Sequence, residues 1–163
     1  CDWSSDVCSS DLGKIKEKFF EEAIAEYSKR ISAYTRLEIV QVQDEKAPED
    51  LSEHEAELLR EKEGRRILKA VRDSDYVITL EIKGRQYSSE DFARLMNDLA
   101  VSSRPDIVLV IGGSTGLGAN VRTRSDLALS FSEMTFPHQL MRVVLLEQIY
   151  RSFKINRGEP YHK

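Results

Sequence analysis

The sequence predicts a single α/β domain, with a mostly parallel sheet and helices on both of its faces. Segments with the apolar pattern of strands and segments with the apolar pattern of helices follow one another along the chain. This order is typical of repeated βα units. The segment 107–111 is apolar throughout, as expected of a central parallel strand that is buried on both faces. A chain of 163 residues is long enough for one domain with its own core.

The first half of the chain gives a clear signal for each element. Residues 15–31 carry apolar side chains at helical spacing, and residues 37–42 form a strand-like run. A polar stretch with a proline predicts a loop over 44–50. Ser52 and Glu55 then have the spacing of a capping box, which predicts the start of the next helix.

The middle of the chain predicts a strand followed by a helix. The run 76–82 is rich in β-branched residues, and we expect Gly84 to end it. Either Ser88 or Ser89 can cap the following helix. The apolar face of that helix comprises Phe92, Leu95, Met96 and Leu99.

The last third predicts a short helix, a strand and a long helix. We expect these elements over 119–124, 127–131 and 138–155. The long helix is apolar nearly all round, which indicates burial on more than one side. Burial within one subunit and burial against a partner subunit both explain that pattern.

The first twelve residues differ in character from the remainder. They start without Met, contain both cysteines of the chain and are rich in Ser and Asp, which disfavour strands. They also lack the basic start and the apolar centre of a signal peptide. We therefore expect residues 1–12 to be a leader that is not native to the protein, followed by a single domain over 13–163. Two cysteines in such a segment make no disulfide framework.

Two of the predicted strands end in loops that suit a ligand. The strand 107–111 leads into a glycine cluster over 112–118, and the strand 127–131 leads into a polar loop closed by Pro137. Loops at the carboxyl ends of parallel strands form the ligand crevice of open α/β sheets. We therefore expect the two loops to be two walls of one pocket. A plain turn between strand and helix is the alternative for the glycines.

The glycine cluster does not match the common nucleotide-binding motifs. The dinucleotide fingerprint needs G-x-G-x-x-G after a first strand, whereas these glycines have another spacing and follow a later strand. Gly113 and Gly118 have the separation of a phosphate loop, but Ala119 and Asn120 stand where that loop needs lysine and a hydroxyl. A dinucleotide-binding oxidoreductase is therefore a weak alternative.

The composition is that of an ordinary globular protein. Hydrophobic residues make up 40% and charged residues 32%, and no apolar run approaches the length of a membrane span. The net charge of −4 argues against a broad nucleic-acid surface, yet residues 137–163 hold five Lys or Arg and two Glu. That region fits a local phosphate contact. Cations near the end of a final helix are also favoured by the helix dipole.

A series of motifs resembles one protein family over nearly the whole chain. In chain order the motifs are VITLEI from Val77, VIGGS from Val110, the segment from Leu129 to Leu145, EQIYRSFKI from Glu147, RGE from Arg157 and YHK from Tyr161. With these motifs in this order and spacing, the chain from about residue 13 onward resembles the ribosomal RNA large-subunit methyltransferase H family of the SPOUT superfamily.

The resemblance implies more than the residue pattern gives. It implies a SPOUT-type α/β knot, with a deep C-terminal trefoil knot, although true knots are nearly absent from proteins in general. It implies a homodimeric cytoplasmic enzyme, with no membrane association, that uses S-adenosylmethionine to methylate N3 of a pseudouridine in 23S ribosomal RNA within the assembled ribosome. Because a sulfonium is already activated, such a reaction needs no metal, only in-line alignment of donor and acceptor.

Matched position by position, the resemblance also assigns a cofactor pocket. The implied cofactor-binding residues are Leu80, Gly112, Phe131, Ser132, Glu133, Met134, Thr135 and Phe136. Apolar walls and backbone hydrogen bonds suit adenine and a thioether arm. Plain core packing is the alternative for Leu80, Phe131 and Phe136.

The substrate side needs a group or a water that removes the N3 proton. The candidate catalytic residues are His138, Arg142, Tyr161 and His162. His138 stands at a helix start, where a structural role is the alternative. In the resembled family the C-terminal tail is a functional element that reaches the partner's active site. There Tyr161 can stack on a base, and Arg142, Arg151 and Lys163 can hold phosphates.

One further class of function stays open beside the methyltransferase and the oxidoreductase. The unusual first twelve residues leave room for a non-catalytic RNA-binding or ribosome-binding α/β protein. Binding of S-adenosylmethionine separates the methyltransferase from the oxidoreductase. Methyl transfer separates the methyltransferase from the non-catalytic protein.

Overall fold

The fold is a parallel sheet with helices on both faces. The computed structural model describes residues 4–9, 18–42, 50, 52–102, 106–113 and 115–161. The strands are β1 (Ser4–Ser9), β2 (Arg36–Gln41), β3 (Tyr76–Gln86), β4 (Asp106–Ile111) and β5 (Leu127–Ser130). The helices are α1 (Lys18–Ile31), α2 (Glu53–Leu68), α3 (Ser89–Val101), α4 (Ala119–Arg124) and α5 (His138–Asn156).

Within the described residues, the strands form one sheet in the order β2-β1-β4-β3-β5, and each neighbouring pair is parallel. This confirms the predicted α/β class and the central position of the strand over 107–111. The predicted helices and strands are present with ends shifted by a few residues, which is the usual uncertainty of element boundaries. The predicted loop over 44–50 lies outside the described residues except for residue 50.

Two cores lie on opposite faces of the sheet. Ile107, Leu109 and Ile111 of β4 pack with α1, α3 and α5 on one face. Val108 and Val110 pack with α2 and α4 on the other face. Because successive side chains of a strand point to opposite faces, an entirely apolar strand serves both cores.

The segment Ser4–Ser9 forms a strand, although its composition predicts against one. β1 lies between β2 and β4, with Ser4 opposite both Arg36 and Asp106. Strand propensity is a weak preference, and backbone hydrogen bonds to a neighbour on each side outweigh it. The assignment of residues 1–12 to a leader that is not native to the protein, followed by a single domain over 13–163, stays a prediction.

Gly84 does not end β3, which continues to Gln86. The strand instead changes register against β5, because Leu129 is opposite both Leu80 and Arg85. A Cβ atom on Gly84 would lie 2.7 Å from the carbonyl oxygen of Ala128. Glycine therefore permits a close approach of two strands at a bulge, a use that the sequence alone does not distinguish from a strand end.

The predicted helix starts are well defined. The Ser52 side chain accepts a hydrogen bond from the Glu55 amide, and the Glu55 carboxylate accepts one from the Ser52 amide, which confirms the capping box. Of the two candidate caps for α3, Ser88 is the one used, with its hydroxyl 3.0 Å from the Asp91 amide. Local side-chain chemistry is sufficient to fix these ends.

α5 is the long apolar helix of the prediction. Leu145, Leu146 and Ile149 are fully buried and contribute to the core shared with α1 and α3. Val143 and Val144, on other sides of the helix, are half-buried. In the described part of the chain, no helix combines the length and the apolar character that crossing a membrane requires.

The close approach at the bulge predicts a measurable cost for a methyl group. Gly84→Ala is expected to lower the free energy of unfolding by about 1–3 kcal/mol, because backbone atoms must move apart to admit the Cβ atom. Urea denaturation followed by circular dichroism measures this loss. The matched control is Gln86→Ala, an exposed position of the same strand that is expected to change stability by about 0.5 kcal/mol or less. Equal stability of the two variants would contradict the role given to Gly84.

Candidate functional site

A pocket of about 510 Å³ lies at the carboxyl ends of β4 and β5, beside residues 80–83 of β3 and at the start of α5. This volume lies within the usual range for small-molecule sites. The glycine loop after β4 and the polar loop after β5 both contribute to its lining, as predicted for two walls of one pocket. The predicted cofactor-binding residues that line it are Leu80, Gly112, Phe131, Ser132, Met134, Thr135 and Phe136.

The lining is wider than the predicted set, and one predicted residue is not part of it. Glu133 is exposed and is not part of the lining. Glu81 and Arg122 line the pocket but are absent from the predicted set. The position of Glu81 directly after Leu80 was a usable signal for it. The sequence carries no comparable signal for Arg122, because the position of this side chain depends on how α4 packs against β3.

The bulge in β3 contributes a third wall. Residues 81–84 lie in the register shift between the pairs Leu80–Leu129 and Arg85–Leu129. A bulge turns side chains away from the regular alternation of a strand, and bulges are frequent beside functional sites. Three of these bulged residues, Glu81, Ile82 and Lys83, line the pocket.

The glycine loop is tightly folded. Gly116 adopts φ = +86°, a conformation that side chains with a Cβ atom rarely adopt, and its amide donates to the carbonyl of Gly113 at 3.0 Å. A Cβ atom on Gly112 would lie 3.0 Å from Cγ of Leu117. Ser114 of the same loop lies outside the described residues. The glycines therefore allow the backbone of this loop to pack closely beside the pocket.

Helix α2 holds the far end of the glycine loop by ionic and backbone contacts. The Arg60 guanidinium pairs with Glu57 and donates to the carbonyl of Thr115 at 3.4 Å. The Glu57 carboxylate accepts the amide of Ala119 at 3.1 Å. The hydrogen bond from Arg60, followed by that of the Ala119 amide, lowers the pKa of Glu57.

The packing of α4 against α2 is equally close. The Asn120 side-chain amide donates to the carbonyl of Glu61 at 2.9 Å. A Cβ atom on Gly118 would lie 2.7 Å from the carbonyl oxygen of Arg60. Helix α2 therefore holds the glycine loop through side-chain and backbone contacts. A loop held in this way favours a preformed site.

The loop after β5 is attached to the bulge. The Ser130 hydroxyl donates to the carbonyl of Ile82 at 2.9 Å, and the Ser132 hydroxyl accepts the amide of Met134 at 3.0 Å. Met134 itself is 73% exposed. The backbone of this loop is therefore fixed, while an apolar side chain at the pocket is left open to solvent.

A carboxylate and a guanidinium stand on one side of the pocket. The buried Thr79 hydroxyl donates to Oε1 of Glu81 at 2.8 Å and lies 2.8 Å from the Ser125 hydroxyl. Nε of Arg122 lies 3.4 Å from Oε2 of Glu81. These contacts bring the Thr79 hydroxyl, the Glu81 carboxylate and the Arg122 guanidinium together where β3 meets α4.

The four candidate catalytic residues lie in different places. His138, at the start of α5, lines the pocket. Arg142 is 1% exposed, inside the fold, and Tyr161 donates a hydrogen bond to Glu147 at 3.2 Å. His162 lies outside the described residues. Within one chain the pocket lining therefore includes His138 and neither Arg142 nor Tyr161.

The chain turns sharply after α5. The Gly158 amide donates to the carbonyl of Ile155 and the Glu159 amide to that of Lys154, with Gly158 at φ = +64°. These are the two hydrogen bonds of a Schellman motif. The Glu159 carboxylate then accepts hydrogen bonds from Lys154 and from the Tyr34 hydroxyl. The hydrogen bond from Lys154, followed by that from Tyr34, lowers the pKa of Glu159.

Tyr161 lies against the end of α5. Its ring packs edge-on against Tyr150, with 4.9 Å between ring centroids, and the Arg151 guanidinium lies 4.7 Å from its centroid. Burial and the nearby Glu147 carboxylate raise the pKa of Tyr161 to about 12. Arg151, a predicted phosphate contact, forms an ion pair with Glu147, and Lys163 lies outside the described residues.

Comparison with known proteins shows the family to which this chain belongs. A family model described as "Predicted SPOUT methyltransferase" matches residues 10–162. The chain belongs to the SPOUT methyltransferase family. A protein of Bacillus thuringiensis subsp. konkukian named "Ribosomal RNA large subunit methyltransferase H" is 57% identical over 152 residues. A Methanococcus maripaludis protein named "Putative ribosomal RNA large subunit methyltransferase H" is 58% identical over the same length. Both alignments cover 93% of this chain and 96% of the relative.

Membership of the SPOUT family confirms the family resemblance that the motifs carried and decides against the oxidoreductase. SPOUT methyltransferases generally use S-adenosylmethionine. The pocket fits that molecule in its chemistry. Leu80, Phe131 and Phe136 offer apolar surface for an adenine, and the glycine loop brings the backbone close to a ligand.

The contacts of Glu159 predict how the tail contributes to stability at low pH. Because the folded state lowers the pKa of Glu159, its contribution is present above the unfolded value of about 4.5 and is lost as the pH falls through the lower folded value. We expect Glu159→Gln to destabilise the protein at pH 7 and the difference from wild type to shrink below pH 4.5. Urea denaturation across this range measures the difference. Glu133→Gln, an exposed position, is the control, and a difference that is independent of pH would refute the assignment.

Proposed function

We propose that this protein is an S-adenosylmethionine-dependent methyltransferase that modifies N3 of a pseudouridine in 23S ribosomal RNA, acting on the assembled ribosome. The observation that carries the proposal is the joint presence of the pocket and the relatives. Seven of the eight residues assigned to the cofactor line one cavity, in a chain 57–58% identical to proteins named as ribosomal RNA large-subunit methyltransferases.

The pocket residues have separate tasks in this proposal. The cofactor supplies a methyl group already activated on its sulfonium. Leu80, Phe131 and Phe136 provide an apolar environment that excludes water from one side of the ligand. The glycine loop and the loop after β5 hold it by backbone groups and fix its orientation, which is the main requirement for in-line transfer.

His138 is the proposed base or the group that orients a water as base. It is half-buried and lines the same pocket as the cofactor residues. A ring nitrogen of this imidazole can accept the N3 proton, directly or through a water, as the methyl group arrives. Arg142 is assigned a positioning role from inside the fold, since it is buried next to the start of α5.

We also propose a homodimer in which the tail of each subunit completes the active site of its partner. Three exposed apolar side chains support a protein partner at this edge of the fold: Met134 is 73% exposed, Ile82 is 51% exposed and Leu140 is 37% exposed. Met134 and Ile82 line the pocket, so a second subunit that covers them also closes the cavity. Tyr161 and His162 are the tail residues proposed to meet the substrate.

The proposal includes the trefoil knot and the cytoplasm as the place of action. A knot requires that the end of the chain passes through a loop formed earlier. Met141, in the first turn of α5, borders the same cavity as the glycine loop. This proximity is consistent with a chain end that passes through an earlier loop. A substrate presented within the ribosome is consistent with a chain whose net charge is −4, because an overall negative charge does not favour binding to naked RNA.

Methyl transfer to ribosomes is the direct test of this function. We expect label from S-adenosylmethionine to enter purified bacterial ribosomes that lack the modification, and nucleotide mapping to place it at N3 of a 23S pseudouridine. Ribosomes that already carry the methyl group are the control and are expected to take up no label. Cofactor binding without transfer would favour the non-catalytic RNA-binding or ribosome-binding protein instead.

Removal of the tail tests the role of residues 161–163. We expect the shortened chain to bind S-adenosylmethionine as wild type does and to lose transfer by about a hundredfold or more, since substrate groups and not cofactor groups are removed. Tyr161→Phe keeps the ring but not the hydrogen bond to Glu147, and is expected to retain most activity. Full turnover by the shortened chain would disprove the tail assignment.

A further inference from the structure

We propose that Glu81 and Arg122 form the subsite that receives the amino-acid end of the cofactor. Glu81 is assigned to the ammonium group and Arg122 to the carboxylate. The inference rests on the proposed use of S-adenosylmethionine and adds two residues, neither of which was among the predicted cofactor ligands.

The position of the pair within the pocket is the first argument. Among the described residues of the lining, the charged side chains are Glu81, Lys83 and Arg122, and most of the remaining wall is apolar or glycine. A ligand with a zwitterionic end and an apolar body therefore has one region of this cavity where both its charges find opposite charges. That region is the side where β3 and α4 meet.

The preorganisation of Glu81 is the second argument. Thr79 is fully buried, and its hydroxyl fixes Oε1 of Glu81 at 2.8 Å. The Glu81 side chain keeps 23% exposure, so one oxygen is held by the protein while the carboxylate still reaches the cavity. A buried hydroxyl that holds a carboxylate at a pocket wall is typical of binding groups kept in one rotamer.

The looseness of the ion pair is the third argument. The Nε atom of Arg122 is 3.4 Å from Oε2 of Glu81, and the arginine side chain is 55% exposed. Exposed pairs of this kind contribute little to stability, so the two groups separate at low cost. A ligand ammonium then lies between them beside Glu81, while the guanidinium can turn to hold a carboxylate by two hydrogen bonds.

Binding measurements with three ligands test the assignment. S-adenosylmethionine and S-adenosylhomocysteine both carry the amino-acid end, whereas methylthioadenosine carries the adenosine and the thioether only. We expect Glu81→Gln to weaken binding of the first two about tenfold or more, in line with the loss of a charged hydrogen bond, and to leave methylthioadenosine within about twofold. Isothermal titration calorimetry on the full chain gives the three dissociation constants.

Two further variants make the experiment specific. Arg122→Gln, which changes a side chain that is 55% exposed, is expected to weaken the same two ligands and spare methylthioadenosine. The matched control is Glu26→Gln, which removes the same charge from an exposed carboxylate paired with Arg30 at 2.8 Å on α1. We expect the control to bind all three ligands as wild type does.

Each contrary result has a distinct meaning. Equal weakening of all three ligands, or of none, overturns the assignment of the pair. Weakening of S-adenosylmethionine alone places Glu81 at the sulfonium and also overturns it. If wild type binds none of the ligands, the proposed function itself fails, whereas wild-type binding with unchanged variants removes only this inference.

Discussion

The position of β4 between two parallel neighbours is the constraint on which the remaining structure depends. All six of its residues are buried, since β1 and β3 cover its edges and a core lies on each face. A strand in this position has almost no freedom of register, because a shift by one residue would exchange the side chains of the two cores. Its carboxyl end at Ile111 therefore fixes where the glycine loop starts, and with it one wall of the pocket.

The pocket combines a rigid frame with few specific side chains. Arg60 and Glu57 fasten the glycine loop to α2, and Ser130 fastens the loop after β5 to the bulge in β3. What these loops present to a ligand is largely backbone and apolar surface. Orientation in such a site comes from shape, and a small number of charged groups then decides which chemical end of the ligand lies where. A methyl donor whose own reactivity is built in requires little more than this from the protein.

Local signals in the sequence predicted much of this fold. The capping box at Ser52 and the apolar run of β4 depend on neighbouring residues only, and both are found where expected. The sequence predicts a strand end at Gly84, and this prediction is wrong because the close approach of Gly84 to Ala128 depends on a strand much later in the chain. The strand at Ser4–Ser9 has weak propensity and is specified by its two neighbours. The Glu81–Arg122 pair escaped the sequence for the same reason, since it forms only when α4 packs beside β3.

The Schellman motif after α5 has a practical consequence for anyone who handles this protein. It directs the backbone back over the helix it has just left, where Glu159 is bound to Tyr34 and the Tyr161 ring lies on Tyr150. A purification tag or a fluorescent label attached after Tyr161 would begin beside this aromatic and ionic cluster. Its residues would compete with Glu159 and Tyr161 for the same surface of α5. The exposed side of α3, at Asn97 or Asp98, offers an attachment site that leaves both the pocket and the turn untouched.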